Sequence, residues 1–351
     1  MIEKRYRFEA LDALRGLAIL MMVFSANIPF EGALPGWMYH AQVPPPLHQF
    51  QPDLPGITWV DLVFPFFLFC MGAAIPFSFG GKIEKGYRGR LMGRDLLIRF
   101  GGLALFAIVS QHARPWVMNV DEGAQWPLAL LAMIGMVLLF ASPSSGWWSR
   151  HRQLMRIIGL LILIALFGAL HYFDRVTFRL QRFDIIIMVL ANNALAGALL
   201  YLLQRKYKQT LWISFALLCA FFLSGRAGDN WIAEIYQFSP LPWLLSWNYL
   251  KYLLVTAGLA LFALFAFTIL IDLLKCGRGL FLLSGSGKNA MLAYIAGSNL
   301  ILPLLHLTGI ARLFRLDGYS TTLHTIEAVL VTLLVAWVCA VAAKKRFFLK
   351  V

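Results

Sequence analysis

Apolar residues run in long, nearly unbroken stretches along this chain, rather than alternating as in a half-buried strand or recurring every three to four positions as in a soluble helix. About ten such stretches can be traced, roughly over 17–30, 58–80, 95–111, 126–142, 155–172, 184–203, 210–224, 248–274, 280–308 and 322–343. Several are shorter than the ~20 residues a helix needs to cross hydrocarbon, so their ends are set only to within a few residues. A segment in lipid must satisfy its own backbone hydrogen bonds, so the pattern predicts an all-α fold: a polytopic integral membrane bundle of about ten helices. The polar segments between stretches are short. They predict a single transmembrane domain over 1–351, with no soluble domain and no internal repeat of the kind that builds inverted-repeat transporters.

Composition agrees. The chain is 60% hydrophobic and 14% charged, whereas a soluble domain keeps about a quarter of its residues charged. The net charge of +14 invites a nucleic-acid reading, but its distribution argues otherwise. When the stretches are threaded alternately across a bilayer, 23 of the 31 Lys and Arg fall on the side that holds both termini. By the positive-inside rule that side is the cytoplasm, so the charge is mostly a topology signal, with attraction to anionic membrane lipid as a by-product. The first stretch lacks a small-x-small cleavage pattern and predicts a retained helix. Cys70, Cys219, Cys276 and Cys339 form no CxxC pair and read as small apolar residues; no metal site is expected. There is no Asn-x-Ser/Thr sequon.

The segments expected outside hold the irregular sequence. Residues 31–57 are rich in Pro and Gly and carry His40 and His48; residues 225–247 carry Trp231, Tyr236, Phe238, Trp243 and Trp247. The second set reads first as an interfacial aromatic belt, with a sugar- or headgroup-stacking wall as the alternative. A neutral imidazole in the first loop can take a proton from a nucleophile near neutral pH. Asp61, at the start of the second stretch, could orient such a base. It could equally cap the helix it opens, with Thr58 competing for that role.

Other polar residues lie close to hydrocarbon, where charge is expensive. Asp12 and Arg15 would share one helical face and pair; Arg15 could also clamp a phosphate at the cytoplasmic mouth. Ser284-Gly285-Ser286-Gly287-Lys288-Asn289 is a glycine-rich segment that is not a Walker A motif, since Leu282 and Asn289 stand at two of its fixed positions. It reads either as a phosphate contact, through backbone N–H groups and a lysine, or as a helix break. Asn192, Asn193, Tyr294, Ser298, Asn299 and His306 read as interhelical hydrogen-bonding groups. Asn27 is set apart by its place at the outer end of the first stretch. Arg182 and Asp184 flank the outer mouth of the sixth and could pair or touch substrate. Basic residues (Arg15, Arg94, Arg99, Lys288) thus gather at one face, and histidines and a carboxylate at the other. That layout suits an anionic cytoplasmic donor and a neutral or cationic acceptor outside.

Asp12-Ala13-Leu14-Arg15-Gly16-Leu17, Met22-Val23-Phe24, His40-Ala41 and Asp61-Leu62-Val63-Phe64-Pro65-Phe66-Phe67-Leu68-Phe69 with Met71-Gly72 together resemble the heparan-α-glucosaminide N-acetyltransferase family and its bacterial members of unknown function. A Leu-Asp-x-Leu-Arg-Gly start is shared with integral-membrane acyltransferases more widely. The likeness is strong over about 8–80 and returns weakly at Gly287-Lys288-Asn289-Ala290. It implies transfer of an acetyl group from cytoplasmic acetyl-CoA to an amino sugar or glycan on the far side of a membrane, here a bacterial inner membrane, by a chain that could pair as a homodimer. It places the catalytic histidine at His40 and the family's first-span asparagine at or next to Asn27, one residue out of register; on the layout of the residues themselves, Asp61 would orient the imidazole, and Arg15, Arg94, Arg99, Lys288 and Asn289 would meet the donor's phosphates. The chain departs from the family pattern in a proline-rich insertion from Gln42 to Gly56, which contains His48 and makes it a rival base. A transporter or flippase of sugars or lipid-linked glycan intermediates is the alternative reading, and a scaffold that has lost activity is a further one.

Overall fold

The computed structural model describes residues 8–30, 34–49, 51, 54, 56–83, 90–143, 146–176, 247–314 and 320–350. Among these the architecture is all-helical. The helices are α1 (Glu9–Ser25), α2 (Trp59–Ile83), α3 (Arg90–His112), α4 (Glu122–Phe140), α5 (Arg152–Tyr172), α6 (Trp247–Thr268), α7 (Phe281–Lys288), α8 (Ala290–Leu307) and α9 (Thr321–Lys344). Helix α6 runs on through a π-helical turn, Ile269–Leu273, and α8 contains another at Gly297–Ile301. The predicted stretches over 184–203 and 210–224 lie outside the described residues.

Four of these helical segments are long and apolar enough to cross a membrane: Gly123–Phe140, Arg152–Tyr172, Ala290–Leu307 and Thr321–Lys344. Their outward faces are apolar too. Along α5, Gly159, Leu163, Leu166, Phe167 and Leu170 turn inward, while Leu154, Ile157, Leu161 and Ile164 stay exposed. Bare aliphatic faces of this extent are a liability in water and at home in lipid, so the fold is compatible with an integral membrane protein.

Two predicted stretches are corrected. The first, placed at 17–30, is a helix displaced toward the N-terminus: α1 begins at Glu9 and includes Asp12 and Arg15, whose charges are met inside the bundle. It ends at Ser25, so Asn27 lies just beyond it. The second, placed at 280–308 as one span, breaks at Asn289 into α7 and α8.

Small residues set how closely the helices approach, as expected where apolar surroundings give no hydrophobic push between them. A methyl group on Gly16 would lie 1.8 Å from the Leu283 carbonyl oxygen, and one on Gly287 would lie 1.7 Å from that of Asp12. Helices α1 and α7 therefore cross backbone against backbone. Two residues round the helix, Gly285 faces the other way and abuts Ala340 of α9. Gly135 and Gly159 bring α4 and α5 together in the same manner.

The start of α1, the α7–α8 break and the ends of α4 and α9 meet at one end of the bundle. Lys288 Nζ lies 3.7 Å from Glu9 Oε1. The C-terminal segment turns back beside α4: Ser142 N–H donates to Phe348 O (2.8 Å) and Lys350 N–H to Phe140 O (2.8 Å). We call this the basic end. At the other end of α1, Ile28, Met38, Tyr39 and Ala328 of α9 form a small core that seats the loop after α1.

Candidate active site: a histidine held by a helix-capping carboxylate

Thr58 precedes the first residue of α2, and Asp61 stands in that helix's first turn. Asp61 Oδ2 accepts from the Thr58 backbone N–H at 2.8 Å, and Asp61 N–H donates to Thr58 O at 3.2 Å. This is one half of a capping box, a carboxylate folding back on an otherwise unpaired helix-start donor, and the Thr58 hydroxyl lies 3.2 Å from the same oxygen. The Thr58 hydroxyl donates to Tyr39 O at 2.6 Å, joining the helix start to the preceding loop. Tyr39 is itself buried, its hydroxyl donating to Pro29 O at 2.6 Å. Phe24 of α1 stacks on Trp59 of α2, with ring centroids 6.0 Å apart.

That anchoring delivers the next two residues to the same carboxylate. Ala41 N–H donates to Asp61 Oδ2 at 3.2 Å, and His40 Nδ1 lies 2.5 Å from Asp61 Oδ1. Oδ2 thus takes two backbone N–H groups while Oδ1 faces the imidazole, the pattern of an ionised acceptor. A carboxylate acceptor requires the proton on Nδ1, which leaves Nε2 as the basic nitrogen. Burial differs sharply across the pair: the Asp61 side chain is 3% exposed and that of His40 is 46% exposed. A buried carboxylate, fixed by backbone donors, holds a ring whose other edge is open. This is the base-plus-orienter geometry of general-base and nucleophilic sites. No hydrogen bond to His40 Nε2 occurs among the described residues.

The insertion between the two partners does not separate them. Gln42 is 2% exposed, and its Nε2 donates to both Leu54 O (3.0 Å) and Gly56 O (3.2 Å). Gln51 N–H returns to Gln42 O at 2.8 Å. The segment therefore closes on itself at its base. Gly56 adopts φ +118°, a conformation that side-chain-bearing residues rarely take, where the chain re-enters the site. His48 lies elsewhere in this loop. Its ring packs edge-on to Tyr39 (centroids 4.4 Å apart) and Phe30 (5.2 Å), and both its nitrogens are buried without a hydrogen-bond partner among the described residues.

Asn27 is at the same end of α1. Its Nδ2 donates to Val23 O at 2.7 Å, in the last turn of α1. Arg182 and Asp184 lie outside the described residues.

The basic end holds the residues expected near phosphate, and most are engaged. Arg15 Nη1 donates to Gly287 O (3.2 Å) and approaches Asp12 Oδ1 (3.4 Å), while Nη2 donates to Cys70 O (3.2 Å). Arg15 thereby fastens α1 to α7 and α2. Asn289 is 1% exposed; its Nδ2 donates to Phe347 O (2.9 Å) and its Oδ1 accepts from Leu349 N–H (3.0 Å), so it clips the C-terminal segment. Ser284 to Lys288 are helical, so their backbone N–H groups are committed within α7 and the break falls at Asn289. Of the two readings of this glycine-rich segment, the geometry is that of the helix break. Arg94 (side chain 66% exposed, 3.9 Å from Asp95) and Arg99 sit on the exposed side of α3.

Sequence reasoning missed two kinds of residue. Gln42 bore no motif, and only the folded loop shows its role. Glu327 of α9 is a buried carboxylate (8% exposed) next to Ala328, which packs under Tyr39; an acidic residue inside an apolar stretch was the available signal.

No curated protein matches the chain. A family model described as "Domain of unknown function (DUF5009)" matches residues 7–264, a stretch that includes Arg15, Asn27, His40 and Asp61 and stops short of Lys288 and Asn289. The chain belongs to this family, Domain of unknown function (DUF5009).

Proposed function

We propose that this chain is a CoA-dependent membrane acyltransferase, carrying an acetyl group from acetyl-CoA to an amino sugar or glycan with His40 as general base. The observation that supports it most is the His40–Asp61 pair: an imidazole fixed at Nδ1 by a buried carboxylate, with Nε2 open. In this reading Nε2 removes the proton from the acceptor's amine or hydroxyl as that group attacks the thioester carbonyl. The new C–N or C–O bond forms, the C–S bond breaks, and the imidazolium returns the proton to the departing thiolate. Asp61 keeps the ring in its productive tautomer and offsets its transient positive charge. The second amide N–H of Asn27 would serve the oxyanion.

The proposal sets the bundle in a bacterial inner membrane, with about ten helices and both termini cytoplasmic. The basic end then faces the cytoplasm and the His40 end the far side, consistent with the 23 of 31 Lys and Arg counted on one side. Acetyl-CoA is a substrate here, not a resident cofactor. Lys288, beside Glu9, and the exposed Arg94 would meet its phosphates, with Arg15 and Asn289 also holding helices and the C-terminal segment. Arg99 and, at the acceptor side, Arg182 and Asp184 complete the proposed contacts.

The test is acetyl-CoA turnover by purified protein in nanodiscs, with a panel of amino sugars and simple glycans. Acceptor-dependent release of free CoA supports the reading. Substrate movement across the membrane with no CoA released would replace it with a transporter.

A further inference from the structure

A groove at the basic end is used by none of the interactions above. It encloses about 420 Å³ and runs along one face of α9, past Trp337, Val341, Ala342 and Lys345, with Pro143 and Phe347 closing its sides. At 1.5 Å rise per residue, the eight steps from Trp337 to Lys345 span about 12 Å. Its walls are apolar and its one charged lining residue, Lys345, stands at the helix end. The apolar floor continues into outward-facing surface, since Trp337 is 58% and Leu333 54% exposed. The charge continues too: Lys344, Arg346 and Lys350 are exposed beside Lys345, and Arg150, Arg152 and Arg156 are exposed on the neighbouring α4–α5 connection and the start of α5. Neither 141–156 nor 340–351 contains a single Asp or Glu.

An apolar channel ending at a cluster of cations matches one chemical class: a hydrocarbon chain with an anionic head. We propose that this groove binds an anionic phospholipid, its acyl chain against Trp337, Val341 and Phe347 and its phosphate at Lys345. The opening along exposed apolar surface favours a lipid entering sideways from the bilayer over a free anion arriving from water. Docked there, the lipid would also brace the C-terminal segment that Asn289 clips to the end of α4. The inference rests on the membrane placement proposed above, and not on acyl transfer.

The test uses the full chain in phosphatidylcholine nanodiscs doped with phosphatidylglycerol or phosphatidylcholine carrying brominated chains. The readout is the part of the tryptophan quenching that Trp337→Phe removes. At equal doping, phosphatidylglycerol should quench Trp337 more strongly than phosphatidylcholine. Lys345→Gln, at an exposed position, should weaken that preference about fivefold, and Ala342→Phe should abolish it by filling the channel. Equal quenching by the two lipids, or an unchanged preference in Lys345→Gln, would overturn the proposal. So would relief of quenching by inorganic phosphate, which would assign the groove to a free anion, or by acetyl-CoA, which would assign it to the donor. Failure to reconstitute into nanodiscs at all would overturn the membrane placement as well, and is distinguishable because neither lipid would then quench.

Discussion

His40 Nδ1 lies 2.5 Å from Asp61 Oδ1, although the two residues are 21 positions apart and a proline-rich loop intervenes. The same carboxylate caps α2 through Thr58 N–H at 2.8 Å. Helix start and histidine orientation therefore depend on one side chain. The folding of α2 is coupled to the geometry of the site.

Replacement of Asp61 should consequently register twice. Asp61→Ala removes a helix-capping acceptor, typically worth about 1 kcal/mol, and the orienting partner of His40. It should lower thermal stability in detergent and reduce acyl transfer together. Thr58→Val loses the hydroxyl link to Tyr39 and that hydroxyl's 3.2 Å contact with Asp61 Oδ2, but keeps the backbone donor to Asp61 and the His40 contact. It should lower stability while retaining most activity. Parallel melting curves and turnover assays of the two variants check this; equal loss of activity in both would show that the carboxylate has no orienting role.

The insertion makes a sharper claim about a residue with no chemistry of its own. Gln42→Ala removes both bonds that close the loop at Leu54 and Gly56 and leaves two half-buried carbonyls without those donors. Each such loss costs about 1–3 kcal/mol. The variant should admit protease within 42–56 and depress turnover through KM and kcat together, because the His40 backbone is carried by the same loop. Limited proteolysis followed by mass spectrometry is the readout.

At the α1–α7 crossing, Gly16→Ala and Gly287→Ala each place a methyl group under 2 Å from a backbone oxygen. Overpacking of this kind typically costs 1–3 kcal/mol, and here backbone, not a flexible side chain, must move. Both variants should express poorly and melt early. Gly168→Ala, at a position with open space around it, should behave like the parent protein. Comparable melting of all three would contradict the close crossing.

Asn289→Ala frees Phe347 O and Leu349 N–H, two backbone groups held by one side chain. The C-terminal segment should then exchange its amide hydrogens faster around Leu349 and Lys350, with little change at α1. Hydrogen-exchange mass spectrometry reads both regions at once.

The all-helical, apolar character and the positions of most described helices were legible because they depend on local composition. Thr58 and Asp61 are rival caps by sequence; in the structure the capping oxygen belongs to Asp61, and Thr58 supplies the N–H it receives. Which histidine meets Asp61 is not legible from spacing, since His48 is nearer to it in sequence. His40 is brought there within a loop that Gln42 closes, a tertiary arrangement with no local signature. The glycines at 285 and 287 are explained by Ala340 and Asp12, partners distant in sequence, so the segment by itself leaves a phosphate contact open beside a helix break. Asn289 carries no local sign of its neighbours Phe347 and Leu349, which come from the far end of the chain.

The central claim is that the imidazole fixed by Asp61 performs base catalysis, and it is tested most directly by comparing His40→Ala with His48→Ala in acceptor-dependent release of CoA. The account predicts that His40→Ala loses at least ~10²-fold in rate while remaining folded, and that His48→Ala, which removes a ring packed on Tyr39 and Phe30, loses far less. Full activity in His40→Ala would contradict it, whether or not His48→Ala is impaired.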